Sequence, residues 1–359
     1  LVWVYNTNMD IRSIQGVDFT DARVCLRVDF NIERTGIGHT EEHFRIAVVK
    51  DTLAYLSKFK GVKIALLTHL GRPEGKPNTE DSTETLLRPV TQSLGQKIVF
   101  VPAVTGPRVA DALDALAPDE LLLLENVRFD PGEETNDISF ASKLTEPFTH
   151  YVNEAFSVCH RTHASMVAVT HLLPAYAGLH ILRELRELDS VRFTPDRPAV
   201  ALIGGAKIET KLPLIKAFEA NYDCVLVGGK VANEALDQKI VFGEKVLLPQ
   251  DFNGPEKERL DIGPTTIAYY SQILKMARTI VWNGPMGKFE EKPYNLGTDV
   301  LMHTILESKA NVVVGGGESL AVLEQANALS RVSFVSSGGG AMLSYLSGEE
   351  MPGLLALRT

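Results

Sequence analysis

Short apolar runs alternate with longer segments of mixed polarity along nearly the whole chain. Runs of this length, bounded by Gly, Asp and Asn, read as buried strands, and the segments between them carry the apolar spacing of helices. In the first half strands are predicted at Val24–Phe30, Val62–Thr68, Ile98–Pro102, Leu121–Glu125 and His150–Asn153. In the second half they are predicted at Ala199–Ile203, Cys224–Val227, Thr279–Trp282, Asn311–Val314 and Ser333–Val335. Such alternation predicts an α/β fold, with parallel sheets flanked by helices. Between the halves, Leu or Ile at 179, 181, 182, 185 and 188 predicts an amphipathic helix over Leu179–Phe193. Thr194-Pro195-Asp196-Arg197-Pro198 breaks it. A domain hinge is expected on this helix; the alternative is an ordinary connecting helix within one large sheet.

Ligands of open parallel sheets bind at the carboxyl ends of the strands, so the residues just past each run carry the chemistry. In the first half these are polar: Asp29-Phe30-Asn31, His69-Leu70-Gly71-Arg72, Glu125-Asn126-Val127-Arg128 and His160-Arg161-Thr162-His163, with Arg45 nearby. Several Arg and His side chains converging on one face suit a small, multiply charged anion, because guanidinium offers a bidentate fork to phosphate and carboxylate. In the second half the same positions are glycine-rich: Gly204-Gly205-Ala206-Lys207, Gly228-Gly229-Lys230, Asn283-Gly284-Pro285-Met286-Gly287, Gly315-Gly316-Gly317-Glu318-Ser319 and Ser336-Ser337-Gly338-Gly339-Gly340. Glycine lets backbone N–H groups approach phosphate oxygens, and a following helix N-terminus adds partial positive charge. Repeated on one sheet, such turns indicate a nucleotide polyphosphate site. No G-x-x-x-x-G-K-[ST] is present, and no G-x-G-x-x-G follows the first strand, which excludes a P-loop and disfavours a dinucleotide fold.

Composition narrows the partners. The 359 residues include 45% hydrophobic and 23% charged side chains, as in globular proteins, and carry a net charge of −9. Acidic balance disfavours nucleic acid and anionic membrane surfaces, and no apolar run reaches the ~18–20 residues of a membrane helix. The first residues have no basic n-region, so no signal peptide is expected. Cys25, Cys159 and Cys224 are scattered without a CxxC, so neither a disulfide framework nor a zinc site is expected, and a cytoplasmic location is.

The stretches Arg27-Val28-Asp29-Phe30-Asn31, His69-Leu70-Gly71-Arg72-Pro73, Leu124-Glu125-Asn126-Val127-Arg128-Phe129, Asn153-Glu154-Ala155-Phe156, His160-Arg161-Thr162-His163-Ala164-Ser165, Gly204-Gly205-Ala206-Lys207, Trp282-Asn283-Gly284-Pro285-Met286-Gly287, Gly338-Gly339-Gly340-Ala341 and Met351-Pro352-Gly353-Leu354 resemble, in order and spacing, the phosphoglycerate kinase family. The resemblance implies two Rossmann-like domains joined by a hinge helix: a phosphoglycerate-binding domain over 1–185, a nucleotide-binding domain over 186–344, and a tail, 345–359, that returns to the first. It implies a hinge-bending monomer that moves a phosphoryl group between 1,3-bisphosphoglycerate and Mg-ADP, giving 3-phosphoglycerate and ATP. Substrate-binding roles would fall to Asp29, Asn31, Arg45, His69, Arg72, Arg128 and Arg161. Nucleotide binding would use Gly205, Ala206, Lys211, Asn283, Pro285, Glu290, Gly317, Glu318 and Ser319. Arg45, Lys207, Lys211, Gly317 and Gly340 would surround the group in flight, and Glu318 would stand on the Mg²⁺ side. Three features depart from the family pattern: Glu318 where Asp is usual, a short stretch after Pro249, and Lys230 with Asn233 after Gly228-Gly229. Three other readings stay open: an anion-binding clamp without turnover, a family member that has lost kinase activity and kept a scaffolding role, to which only Glu318 points, and a phosphotransferase for another acyl phosphate, such as that of acetate.

Overall fold

The computed structural model describes residues 10–32, 44–255 and 258–358. The chain falls into two compact units, which part at Arg186/Glu187 and again at Glu349/Glu350. Each is built on a six-stranded sheet that is parallel throughout.

The first sheet contains β1 (Arg23–Arg27), β2 (Lys63–Leu67), β3 (Lys97–Val101), β4 (Glu120–Leu124), β5 (His150–Asn153) and β6 (Ala175–Ala177), in the order β3-β4-β2-β1-β5-β6. The central strands are buried on both faces, as helix-covered parallel strands must be. Along β1, Val24 and Leu26 join a core with Ile46, Leu53 and Leu56. Side chains alternate across a strand, so Cys25 and the fully buried Arg27 take the opposite face.

The second unit follows with β7 (Ala199–Ile203), β8 (Cys224–Val227), β9 (Val246–Leu247), the antiparallel pair β10 (Phe252–Asn253) and β11 (Asp261–Ile262), then β12 (Thr279–Asn283), β13 (Asn311–Gly315) and β14 (Phe334–Val335). Its main sheet runs β14-β13-β12-β7-β8-β9. Both sheets reverse their winding direction at one place, between β1 and β5 in the first and between β7 and β12 in the second. Such a switch point opens a crevice beyond the strand ends, the usual ligand position in these sheets.

The helix between the units runs over Leu179–Phe193, as the leucine spacing predicts. Its amino end is held by Glu154, whose carboxylate accepts the N–H groups of His180 (3.2 Å) and Ile181 (3.1 Å). A buried carboxylate at a helix N-terminus satisfies donors that the helix cannot. The tail from Glu350 packs on the first unit, through Gly353 N–H to Cys159 O (2.9 Å) and Arg12 N–H to Leu357 O (2.9 Å). Residues 345–349 stay with the second unit, where the Tyr345 hydroxyl bonds Asp189 and Arg192 lies over the Tyr345 ring. No helix among the described residues is long and apolar enough to cross a membrane.

Candidate functional site

At the β1–β5 switch point the chain leaves β1 and turns at once. The turn is fixed by Asn31 N–H donating to Asp29 Oδ1 (3.0 Å), and Asn31 Oδ1 in turn accepts Gly71 N–H (3.0 Å). Asp29 is nearly buried. Its Oδ2 accepts hydrogen bonds from Arg45, on the short helix Phe44–Ala47, and from the Ser157 hydroxyl. Burial pushes the Asp29 pKa up, but the neighbouring His69 and Arg45 and the hydrogen bonds from Ser157 and Asn31 outweigh it and hold the carboxyl below its ordinary value.

His69 is buried beside this carboxylate, with Nδ1 3.9 Å from Asp29 Oδ1 and 3.3 Å from an Arg27 nitrogen. Burial, together with Arg27, Arg128 and Arg161, drives its pKa well below normal. Neutral His69 therefore accepts from Arg27 at Nδ1 and carries its proton on Nε2, as a donor and not as a charge. His163 is likewise held neutral, its pKa pushed down to about 3 by burial and the surrounding arginines.

Arg128 is buried as well. It sits in a single 3₁₀ turn capped by Asn126, donates from Nη1 to Gly71 O (2.7 Å) and places Nε 3.3 Å from Glu134. Among the described residues its buried Nη2 has no hydrogen-bond partner. Burial and the neighbouring Arg161 and Arg27 lower its pKa to about 10, still far above neutral pH. A buried guanidinium with an unused N–H and like charges around it is poised for an anion. Arg161 is half-buried, and Arg72 stands exposed next to Gly71.

Sequence reasoning missed the frame behind these side chains. Arg27 Nε donates to Ser165 Oγ (2.9 Å), and the fully buried Glu133 accepts from both Ser165 N–H (2.8 Å) and Ser165 Oγ (2.6 Å). The available signal was an arginine closing an otherwise apolar strand. Ser157 was missed too; nothing in the sequence distinguishes it from a turn serine.

In the second unit the glycine turns after β7 and β12 brace each other. Gly204 N–H donates to Asn283 O (2.8 Å), Gly205 N–H to Pro285 O (3.0 Å) and Gly229 N–H to Met286 O (2.9 Å). A side chain at Gly284 would collide with the Gly204 backbone, and its φ of +92° disfavours any other residue. At Gly317, φ is ordinary and an added Cβ would meet only open space. Protein packing among the described residues therefore does not demand glycine there. Gly317, Glu318 and Ser319 form the first turn of the Gly317–Gln325 helix, and Gly340 opens the Gly340–Ser347 helix.

Lys211 and Asn283 meet in a hydrogen bond, and Asn283 Nδ2 donates to Gly315 O (2.7 Å), so the amide aims the lysine. Burial lowers the Lys211 pKa to about 8, against an upward pull from Glu318. A Cβ on Gly205 would stand 3.0 Å from Glu318 Oε2, which places that carboxylate over the first turn. Gly205, Ala206, Pro285, Glu290 and Glu318 line one cavity of about 250 Å³. Lys207 lies just outside, exposed at the cap position of the Ile208–Asn221 helix. Ser319 is fully buried and its hydroxyl accepts Gly284 N–H (2.6 Å), so its side chain serves the turn. Lys230 and Asn233 line the same cavity, with Arg259 and Lys288.

Comparison with known proteins follows the same lines. The family model described as phosphoglycerate kinase matches residues 14–251 and 237–349. The phosphoglycerate kinase of Chloroflexus aggregans is 36% identical over 402 aligned residues, covering 98% of this chain and 99% of the relative. That of Desulforudis audaxviator is 38% identical, with 97% and 99% covered. The crystal structure of the Pyrococcus horikoshii phosphoglycerate kinase superposes with a TM-score of 0.84 at 30% identity, covering 97% of this chain and 98% of that one.

Proposed function

The chain belongs to the phosphoglycerate kinase family and catalyses the glycolytic, reversible phosphoryl transfer between 1,3-bisphosphoglycerate with ADP and 3-phosphoglycerate with ATP; on that premise we propose which of its residues do what. The observation that carries the assignment is the buried, unpartnered Nη2 of Arg128 beside neutral His69. Arg128, Arg72, Arg161 and the Nε2–H of His69 grip the non-reacting phosphate of the triose. Asp29 and Asn31 take its hydroxyl, and Arg45 reaches toward the reacting carboxyl end. In the second unit the α- and β-phosphates lie on the Gly205-Ala206 and Gly317-Glu318 turns, with Glu290 toward the ribose.

The leaving group of the ATP-forming reaction is a carboxylate, with a pKa of roughly 4, so it needs no proton. In reverse the attacking carboxylate is already ionised. No general base is required, and every His described above is neutral or built into the frame. The reaction instead needs positive charge and fixed N–H donors around the equatorial oxygens of a loose transition state. In the first unit Arg45, and in the second Lys207, Lys211 and the turns at Gly317 and Gly340, are the groups suited to supply them.

Among the described residues no three His, Cys, Asp or Glu side chains are grouped to hold a metal by themselves. A lone carboxylate at the phosphate turn fits Mg²⁺, which keeps most of its shell from phosphates and water; bound there, the metal neutralises phosphate charge. Glu318 is the side chain that would hold it. Glu318→Ala should retain the fold, raise the Mg²⁺ concentration needed for half-maximal rate and lose most activity. Equal turnover at saturating Mg²⁺ would remove the metal role.

Two further outcomes follow from the nucleotide side. Gly317→Ala should melt within a few degrees of the parent, since its Cβ meets no protein atom, yet raise the KM for nucleotide about tenfold or more. Lys211 loses its proton above a pH of about 8 in the free enzyme, so kcat/KM for nucleotide should fall with increasing pH beyond that point. Bound phosphate favours the charged form, so kcat should hold to higher pH. Lys211→Arg should abolish the basic limb of the kcat/KM profile.

Calorimetry tests the division between the units. 3-Phosphoglycerate binding should weaken about 10–100-fold in Arg128→Ala while ADP binding is unchanged, and ADP binding should weaken with 3-phosphoglycerate binding unchanged in Gly317→Val. Loss of both ligands in either folded variant would refute the assignment.

A further inference from the structure

Two donors of opposite character share a single oxygen at Asp29. Oδ1 is occupied by Asn31 N–H at 3.0 Å and faces His69 Nδ1 at 3.9 Å. Oδ2 accepts from Arg45 Nη1 and from the Ser157 hydroxyl together. Arg45 is a long side chain, one-third exposed, on a helix of four residues. Ser157 is short and comes from the 3₁₀ turn Phe156–Val158, directly beyond β5 and across the switch-point crevice from Asp29. That turn is pinned by Ala155 N–H to Asn153 Oδ1 (2.9 Å) and by Val158 N–H to Ala155 O (3.0 Å), so Ser157 has little freedom to follow a moving partner.

While Arg45 Nη1 is bonded to Asp29, that N–H is not available to a phosphoryl oxygen. Turning it toward the transferring group takes a cationic partner away from a carboxylate that is nearly shut off from water. An ionised carboxylate left short of donors in such a place is costly, and the cost would appear in the step that needs Arg45. We propose that Ser157 is a positioning residue for the reaction: its hydroxyl stays on Asp29 Oδ2 when Arg45 leaves, keeping the carboxylate oriented and releasing the arginine for transfer. This rests on the roles assigned above to Asp29 and Arg45. It also explains why a hydroxyl stands opposite a carboxylate that already has an arginine.

Steady-state kinetics of Ser157→Ala, Ser157→Thr, Arg45→Ala and the Ser157→Ala/Arg45→Ala double variant test it. Losing a hydrogen bond to a charged group only in the transition state should lower kcat of Ser157→Ala about tenfold, with the KM for 3-phosphoglycerate within about threefold of the parent. Ser157→Thr keeps the hydroxyl and should recover kcat to within about threefold. In the Arg45→Ala background, Ser157→Ala should change kcat by less than about twofold, because the arginine to be released is gone. If Ser157→Ala does not fold, Ser157→Gly carries the same expectation. A Ser157→Ala kcat within twofold of the parent, an equal loss in both backgrounds, or no recovery with Thr would each overturn the proposal. Should Arg45→Ala itself keep full kcat, the reading of Arg45 fails and the role of Ser157 with it. If Arg45→Ala is impaired and Ser157→Ala is not, Ser157 alone is refuted.

Discussion

Arg128→Ala should raise the KM for 3-phosphoglycerate by about 10–100-fold while leaving kcat within about threefold. The size follows from removing charge-assisted hydrogen bonds of roughly 1.5–3 kcal/mol from a dry site. The selectivity follows from where Arg128 points. It is locked by Gly71 O and Glu134, cannot move during the reaction, and so binds ground and transition states alike. Arg72 is exposed, so Arg72→Ala should shift KM in the same direction by a smaller factor. Initial-rate measurements with varied 3-phosphoglycerate at saturating MgATP separate the two constants. A large fall in kcat for Arg128→Ala would move this residue to the reacting end.

Arg45→Ala and Lys207→Ala should behave in the opposite way, lowering kcat by about 10²–10³-fold with KM values changed only a few-fold. That is the usual cost of removing one preorganised donor from a developing charge. Neither residue is committed to the ligand-free protein in the way Arg128 is. Arg45 rests on Asp29 with its side chain one-third exposed, and Lys207 caps a helix by position without a side-chain hydrogen bond to it. Each can therefore engage the phosphoryl group late, and binding energy realised late appears in kcat. Single-turnover rates with both substrates saturating check this directly. If the variants bind substrates weakly but turn over at the parental rate, the two arginine roles are interchanged.

Much of this fold is legible in the sequence. Strands buried on both faces read as continuous apolar runs, and the runs around Val24–Leu26, Leu121–Leu124 and Ala199–Ile203 declare themselves. The edge strands β6 and β9 and the β10–β11 pair did not, because two or three residues carry no period. β1 ends at Arg27 rather than Phe30: Val28 still bonds Leu67 O, but the Asn31–Asp29 turn has begun. The polar strand ends Asp29, His69 and Arg128, far apart in the sequence, come together in the first unit. What the sequence could not convey was which polar groups face ligand and which hold the frame. Arg27, Glu133 and Glu154 are as charged as Arg128, yet each has protein partners that account for its burial. Ser319 and Asn283 sit in the right turns but direct their side chains at Gly284, Gly315 and Lys211. Only packing distinguishes these cases, because hydrogen-bond partners lie far apart in the chain.

Charge and fixed donors, without a base, carry phosphoryl transfer to the carboxyl group of 3-phosphoglycerate. Its most direct test is a reductively coupled assay of the purified chain with 3-phosphoglycerate, ATP and Mg²⁺. The expected result is acyl-phosphate formation that needs all three, ignores acetate as an acceptor, and is lost in an Arg45→Ala/Lys207→Ala variant that still binds both substrates. A folded protein that binds both substrates without forming the acyl phosphate, or that phosphorylates acetate equally well, would contradict it.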